Sequence, residues 1–591
     1  MNNSKSALKY FYKYLKPHWK AIFWVTVFSL ISTFLQVLAP TYLGKAVTKL
    51  TSYVANGGSI NSFLEIVAFL AASYLLSTIA IFISWVIMSN FTAHANNSMR
   101  KNLFNKLQRM TIRYFDTHQD GKILSLFTSD LDNIFNAMNQ AIFELIAQVS
   151  LFIGTIYIMF KINVKMALFT VMTLPLALIL ALVLIKKARK YIGLQQKEIS
   201  NLNGFINEQL NGQAVIITNG LQKQSVQEFK EYNKAVRNAM FKGQFYSGIL
   251  FPLMNGLATL NFAIVIAGGT YLILTNQVSM AAGLGLMVMF IEYSYTYFQP
   301  LTQLSSLYNL IELALTGAKR LAKVEQEKEE KRVSDGKELT PLKKGLALEN
   351  VHFGYSKDKE ILHGINISVP KGKTVAVVGP TGSGKTTIMN LVNRFYDVDS
   401  GRITIDGTDI RKFTIASLRN SVGIVLQESV VFSGTVFENI AFGKQDATLA
   451  EVEAAAKKAQ IHDYILSLPK GYETEISENG DTFSTGQKQL ISIARTLLTD
   501  PDFLILDEAT SNVDTVTEEK IQVAMDEVVK NRTSFVIAHR LKTIINADKI
   551  VVLKDGTVLE EGSHKELLNR KGFYYKLYTC LLYTSPSPRD S

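Results

Sequence analysis

Apolar residues gather into long uncharged runs before residue 320 and into short ones after residue 345. Residues 21–43 and 66–88 are each 23 long without a charge, 166–185 gives 20, and 142–160 is broken only by Glu144. Runs of this length cross a hydrocarbon core of roughly 30 Å as helices. No charge occurs from Gly243 to Ile291, which is too long for one span, and polar residues 275–279 divide it into two. The pattern therefore predicts six membrane helices. After residue 345 the period changes. Residues 346–355, 375–379, 402–405, 422–426, 503–506, 534–538 and 549–553 read as short strands separated by helical stretches, an α/β arrangement. Nine charged residues crowd between 320 and 332, then Asp335-Gly336 and Pro341 follow, so 326–345 reads as a solvated linker between a membrane half and an α/β half.

Charge placement orients the membrane half. The first twenty residues carry five Lys, the connection 89–141 carries six Lys and Arg, and 186–248 carries ten. The loops 44–65, 161–165 and 275–279 carry four together. Basic residues stay on the cytoplasmic side. The N-terminus and the two long connections are thus expected in the cytoplasm, with the connections continuing the membrane helices. The net charge of +12 is absorbed by this topology and implies no nucleic-acid partner. No cleavable secretory signal is expected, because the basic start runs into an apolar stretch with no small-residue cleavage site. Glu144 and Glu292 are candidates for a polar cavity or a cation site, but helix-end or vestibule positions are the preferred reading. Tyr293, Tyr295, Tyr297 and Phe298 either line a substrate path or pack helices.

The sole cysteine, Cys580, begins a tail whose back-translation resembles a transposase sequencing adapter read in frame. Residues 580–591 are accordingly expected to be a remnant of sequence assembly, leaving no disulfide or thiol chemistry.

The most specific chemistry lies in the α/β half. An apolar strand runs into Gly379, Pro380, Thr381, Gly382, Ser383, Gly384, Lys385, Thr386 and Thr387. This is the glycine-rich turn that lets backbone N–H groups and a helix start surround phosphate oxygens. Lys385 is suited to the β- and γ-phosphates and Thr386 to Mg²⁺. Another apolar strand, 503–506, ends in Asp507 and Glu508. Asp507 suits Mg²⁺ through water, and Glu508 suits polarising the attacking water.

With these motifs in order, residues 346–579 resemble the nucleotide-binding domain of ATP-binding cassette (ABC) transporters, and 1–579 resemble an exporter half-transporter. The resemblance implies an exporter-type membrane α-helical bundle of six helices fused to an α/β P-loop ATPase domain. It assigns 1–20 to an N-terminal elbow, 21–325 to the membrane domain with coupling regions near 110–122 and 207–221, and 346–579 to the nucleotide-binding domain. It matches Tyr355 to the aromatic on adenine, Gln427 to the glutamine at Mg²⁺, and 511–514 to the loop crossing the dimer interface. It matches His539 to the switch histidine and Ser484, Thr485, Gly486 and Gln487 to the signature that covers a partner's nucleotide. Catalysis would rest on Glu508, His539 and Lys385, and Mg²⁺ on Thr386, Gln427 and Asp507.

One departure stands out: Phe483 and Thr485 occupy positions where the family usually has Leu and Gly. Thr485 puts a Cβ where glycine allows close approach to phosphate. The resemblance then implies ATP-driven export of amphipathic small molecules, drugs or lipids in a prokaryotic plasma membrane, by a heterodimer with a second half-transporter. A homodimeric lipid or peptide exporter and an uptake system are the alternatives.

Overall fold

The computed structural model describes residues 2–56, 60–330, 336–356, 358–426, 429–477, 483–507, 513–538 and 541–584. They form two compact units, Met1–Arg109 with His118–Glu327, and Met110–Thr117 with Lys328–Ser591.

The first unit is helical. Five described runs, Ser6–Ala55, Asn61–Leu107, Asp120–Ile162, Val164–Asn211 and Gln222–Leu274, are long and apolar enough to cross a membrane. A sixth long helix, Met280–Gln326, has 47 residues. At 1.5 Å per residue it is about 70 Å long, more than twice a hydrocarbon core, as expected of helices that continue past the membrane. The short turns are set by capping side chains. Asn163 accepts from the Met166 amide at 3.0 Å, and Ser279 starts the sixth helix by accepting from the Ala282 amide. Pro40 and Pro300 lie inside the first and sixth helices, where surrounding helices tolerate them.

Polar side chains stitch these helices together. Ser32 and Ser77 meet at 2.9 Å, and Ser84 donates to the Val25 carbonyl. Tyr293 bonds Thr41 and the Val37 carbonyl, while Tyr297 bonds Thr173 and the Thr170 carbonyl. Both tyrosines are fully buried, as is Phe298 nearly so, whereas Tyr295 is exposed. Tyr293, Tyr297 and Phe298 therefore pack helices, and Tyr295 does not. Glycines allow one especially close crossing. A Cβ at Gly285 would lie 2.5 Å from the Gly44 carbonyl, and one at Gly44 would lie 2.4 Å from the Gly285 carbonyl. Small residues at such crossings let backbones approach. Gly285→Val should destabilise the purified protein by about 1–3 kcal/mol, the usual cost of overpacking. A thermal-unfolding midpoint in detergent equal to wild type would refute the crossing.

The second unit is α/β. Its strands are β1 (Gly345–Phe353), β2 (Leu362–Pro370), β3 (Thr374–Val378), β4 (Ser400–Ile405), β5 (Thr408–Asp409) and β6 (Val422–Val425). β7 (Gly434–Thr435), β8 (Glu475–Ile476), β9 (Phe503–Asp507), β10 (Thr533–Ile537), β11 (Lys549–Lys554) and β12 (Thr557–Gly562) follow. The main sheet runs β12-β11-β3-β10-β9-β6 and is parallel except for β12. An antiparallel sheet, β2-β1-β4-β5, lies beside it in the same unit, and β7-β8 is a small pair. β9 and β10 are buried along their whole length, as parallel strands covered on both faces must be. Five strands escape the sequence reading: β2, β5, β7, β8 and β12. The last helix, Phe573–Thr584, includes Cys580, and 585–591 fall outside the described residues.

Candidate functional site

The carboxyl ends of β3, β10, β9 and β6 lie side by side, with Ile537 in register with both Val377 and Asp507. Ligands of such sheets bind beyond these ends. The chain leaves β3 into residues 379–384 and enters the helix Lys385–Val392. Gly384 has φ 102°, a left-handed conformation suited to glycine, and a Cβ at Gly379 would lie 2.3 Å from the Leu553 carbonyl. Lys385 folds back over the turn, donating to the carbonyls of Gly379 at 2.8 Å and Pro380 at 3.0 Å. Burial pulls its ammonium below the ordinary lysine range, and the nearby Asp507 charge opposes that pull. Ser383 is buried with its Oγ unpartnered, and Thr386 at the helix start is exposed. The turn thus holds a desolvated cation, a buried hydroxyl and a glycine cradle, a donor set that fits phosphate.

Asp507 ends β9 and is buried. Glu508, Gln427 and His539, the other sequence-predicted site residues, lie outside the described residues, together with 511 and 512 of the interface loop. They follow β9, β6 and β10 closely in sequence. Tyr355 is 38% exposed. Its hydroxyl accepts from Asn390 of the phosphate-turn helix, and its ring meets Phe353 and Tyr396 edge-on at 5.1 Å each.

Ser484 caps the 15-residue helix Thr485–Thr499. Its hydroxyl accepts from the Gln487 amide, and the Gln487 side chain accepts from the Ser484 amide. Thr485 is exposed, and Gly486 is buried where a Cβ would lie 2.4 Å from Thr517. Phe483 is buried and packs edge-on against Tyr464. The exchange of the family's usual leucine is therefore a core substitution, whereas Thr485 presents its side chain outward. Asp514 caps the next helix, Thr515–Val529, by accepting from the Thr517 amide at 2.9 Å.

The helix Ile112–Thr117, inside the first predicted coupling region, belongs to the α/β unit. Ile112 packs on its core, Arg113 stands over the Tyr396 ring at 5.4 Å, and Asp116 accepts from the Tyr396 hydroxyl. Sequence reasoning marked the segment but missed Tyr396, which carries no motif. It also missed Arg495, which donates to the Asn439 and Val430 carbonyls and stands over Phe432 and Phe442. The second predicted coupling helix, Gln213–Thr218, has no buried residue.

Comparison with known proteins bears directly on this arrangement. Residues 22–301 match the family model described as ABC transporter transmembrane region, and residues 362–511 match that described as ABC transporter. The ABC transporter ATP-binding protein YfiC of Bacillus subtilis (strain 168) is 39% identical over 577 residues, 98% of this chain and 94% of its own. The chain belongs to the ABC transporters. Within the family it is an exporter-type protein with fused membrane and ATP-binding domains, and it is an ATPase coupled to transport. The structure titled as a bacterial Atm1-family ABC exporter with ATP bound aligns at TM-score 0.75 and 30% identity, covering 95% of this transporter and 98% of that chain. The fatty acid ABC transporter ATP-binding/permease protein of Mycobacterium bovis (strain ATCC BAA-935 / AF2122/97) is 38% identical over 479 residues, 81% of this chain and 75% of its own. YgaD of Bacillus subtilis (strain 168), named for multidrug export, is 33% identical over 579 residues, 97% of this chain and 99% of its own. ABC exporters act as dimers.

Proposed function

We propose that this transporter exports amphipathic small molecules, drugs or lipids across a prokaryotic plasma membrane, with its N-terminus and ATPase domain in the cytoplasm. Lys385, buried against weak carbonyl acceptors that phosphate oxygens would replace, is the observation that carries the ATP-driven part of this reading. Residues 379–387 hold the phosphates and Tyr355 takes the adenine on its exposed ring. Thr386, Gln427 and Asp507 hold Mg²⁺, which neutralises phosphate charge when bound. Glu508 orients and polarises the attacking water, and His539 contacts the γ-phosphate. Phosphoryl transfer asks mostly for such positioning and charge stabilisation. ATP favours the closed pair of ATPase domains because it binds that state better, and hydrolysis returns the pair to the open state. The names of relatives point to fatty acids and multidrug export, both amphipathic classes.

The partner is a different half-transporter. Support comes from the outward Thr485 beside a buried, intact Gly486, which weakens only the site that this signature covers. The exposed helix Gln213–Thr218, with Val215 and Ile217 over half exposed, fits a face that rests on that partner. Purification alone and with a co-expressed second half-transporter tests this. The chain alone should show under a tenth of the substrate-stimulated ATPase of the pair, and full activity alone would establish a homodimer. ATP-dependent probe accumulation in inverted but not right-side-out vesicles is expected for export, and the reverse polarity would show uptake.

A further inference from the structure

Between the first, second, third and sixth membrane helices lies a cavity of about 220 Å³, with apolar walls from Ile81, Phe143 and Leu151 and a polar side. Ser29, Ser32 and Gln36 of Trp19–Asn56 line it, with Glu144 and Gln148 of Ile142–Ile162 and Gln299 of Met280–Gln326. Ser29 is ten residues into its helix, about 15 Å from its start, and Glu144 lies in the first turn of Ile142–Ile162. Polar side chains between membrane helices commonly hold the helices together. Part of this set does so: Gln36 donates to Ser32 at 3.1 Å, and Ser32 pairs with Ser77. Ser29 and Gln148 do not fit that account. They are 2% and 7% exposed, and Ser29 Oγ and Gln148 Oε1 have no hydrogen-bond partner. A buried acceptor left so is costly, and a ligand that donates to it relieves that cost. The Gln148 amide is oriented by its Nε2, which donates to Glu144 Oε1 at 2.6 Å and leaves Oε1 to accept.

The cavity thus presents a carboxylate, an amide oxygen and a hydroxyl, and no Lys or Arg lines it among the described residues. Such a set accepts hydrogen bonds and carries negative charge. Its volume matches about seven waters at roughly 30 Å³ each, enough for a small head group. We infer that this cavity binds the ammonium head group of a cationic amphiphile, with Glu144 as counter-ion and Gln148 Oε1 and Ser29 Oγ as acceptors. The inference rests on the reading that the membrane helices carry an amphipathic substrate, and it makes Glu144, at the start of its helix as the sequence favoured, a selectivity residue.

Equilibrium binding tests it without ATP, so it is separable from the vesicle assays. The full chain, with its partner where one is required, is reconstituted in nanodiscs and titrated with two fluorescent amphiphiles. They are identical except that one ends in a primary ammonium and the other in its acetamide. Wild type should bind the ammonium probe at least tenfold tighter. Glu144→Gln should abolish that preference while leaving acetamide binding within twofold. Gln148→Met, which keeps volume but removes the acceptor, should weaken the ammonium probe at least threefold and the acetamide little. The inference is overturned if wild type does not discriminate or binds neither probe. It is equally overturned if Glu144→Gln keeps the preference, or if the variants weaken both probes equally. Should Glu144→Gln not survive purification, the Gln148→Met comparison alone decides by the same criterion. Binding selectivity without ATP-dependent accumulation would leave the cavity assigned and refute the transport reading instead.

Discussion

Glu508→Gln is expected to lower ATP turnover by at least about a hundredfold while the protein still binds ATP, and Lys385→Ala to lose turnover and binding together. The two differ because the residues act at different moments. Lys385 sits at the end of the glycine-rich turn, with its ammonium held at the Gly379 and Pro380 carbonyls, so in the proposed role its charge serves the bound ground state as well as the reaction. Alanine would also leave those two carbonyls without their lysine donor. Glu508 follows in sequence the buried Asp507 that ends β9, and in the proposed role its carboxylate acts on the attacking water and little on ATP affinity. Nucleotide binding and single-turnover hydrolysis by the two variants separate these roles. Normal hydrolysis by Glu508→Gln would remove Glu508 as the base. Unchanged ATP affinity in Lys385→Ala would contradict the phosphate assignment.

Tyr396→Phe should lower transport per ATP hydrolysed about tenfold while basal ATPase stays within twofold. The hydroxyl lost is the donor to Asp116, and a hydrogen bond to a charged group is worth about 1.5–3 kcal/mol. Burial and the Asp116 carboxylate hold the Tyr396 phenol well above its ordinary range, so it remains a donor at every pH where the protein works. The ring itself must be kept. It packs edge-on against Phe353 at 5.6 Å and Tyr355 at 5.1 Å, so one aromatic links the proposed adenine platform to the proposed coupling helix Ile112–Thr117. Tyr396→Ala should therefore also weaken ATP binding, which Tyr396→Phe should spare. Asp116→Ala should reproduce the Tyr396→Phe phenotype, because it removes the same bond from the other side. An unchanged ratio of transport to hydrolysis in both single variants would show that this contact does not couple.

The phosphate turn and the buried strands were legible because their signals are local. Residues 375–386 carry strand, turn glycines, lysine and helix start in one stretch, and β9 and β10 are uninterrupted apolar runs. β2 was missed because Gly364, with φ 69°, interrupts its alternation and its pairing with β1 shifts register. β12 was missed because it is an edge strand with alternating exposure and two glutamates, the charged edge that discourages further pairing. The cavity was legible only in part. Glu144 stood out as a charge in an apolar run, but Ser29 and Gln148 are ordinary until two helices bring them together. The same holds for Tyr396, whose partner Asp116 is 280 residues away.

The reciprocal cap between Ser484 and Gln487 separates two kinds of selection. This helix start satisfies its own amides within the subunit, and Phe483 is absorbed by the interior. Exchange of the neighbouring glycine for Thr485 thus passes through synthesis and folding unnoticed. In the proposed assembly its effect is felt only when another polypeptide closes on it. Such a position can drift while the subunit remains sound, and what restrains it is the history of the partner. In the proposed heterodimer, one symmetric engine is thereby divided into a working stroke and a holding stroke at no cost to the stability of this subunit.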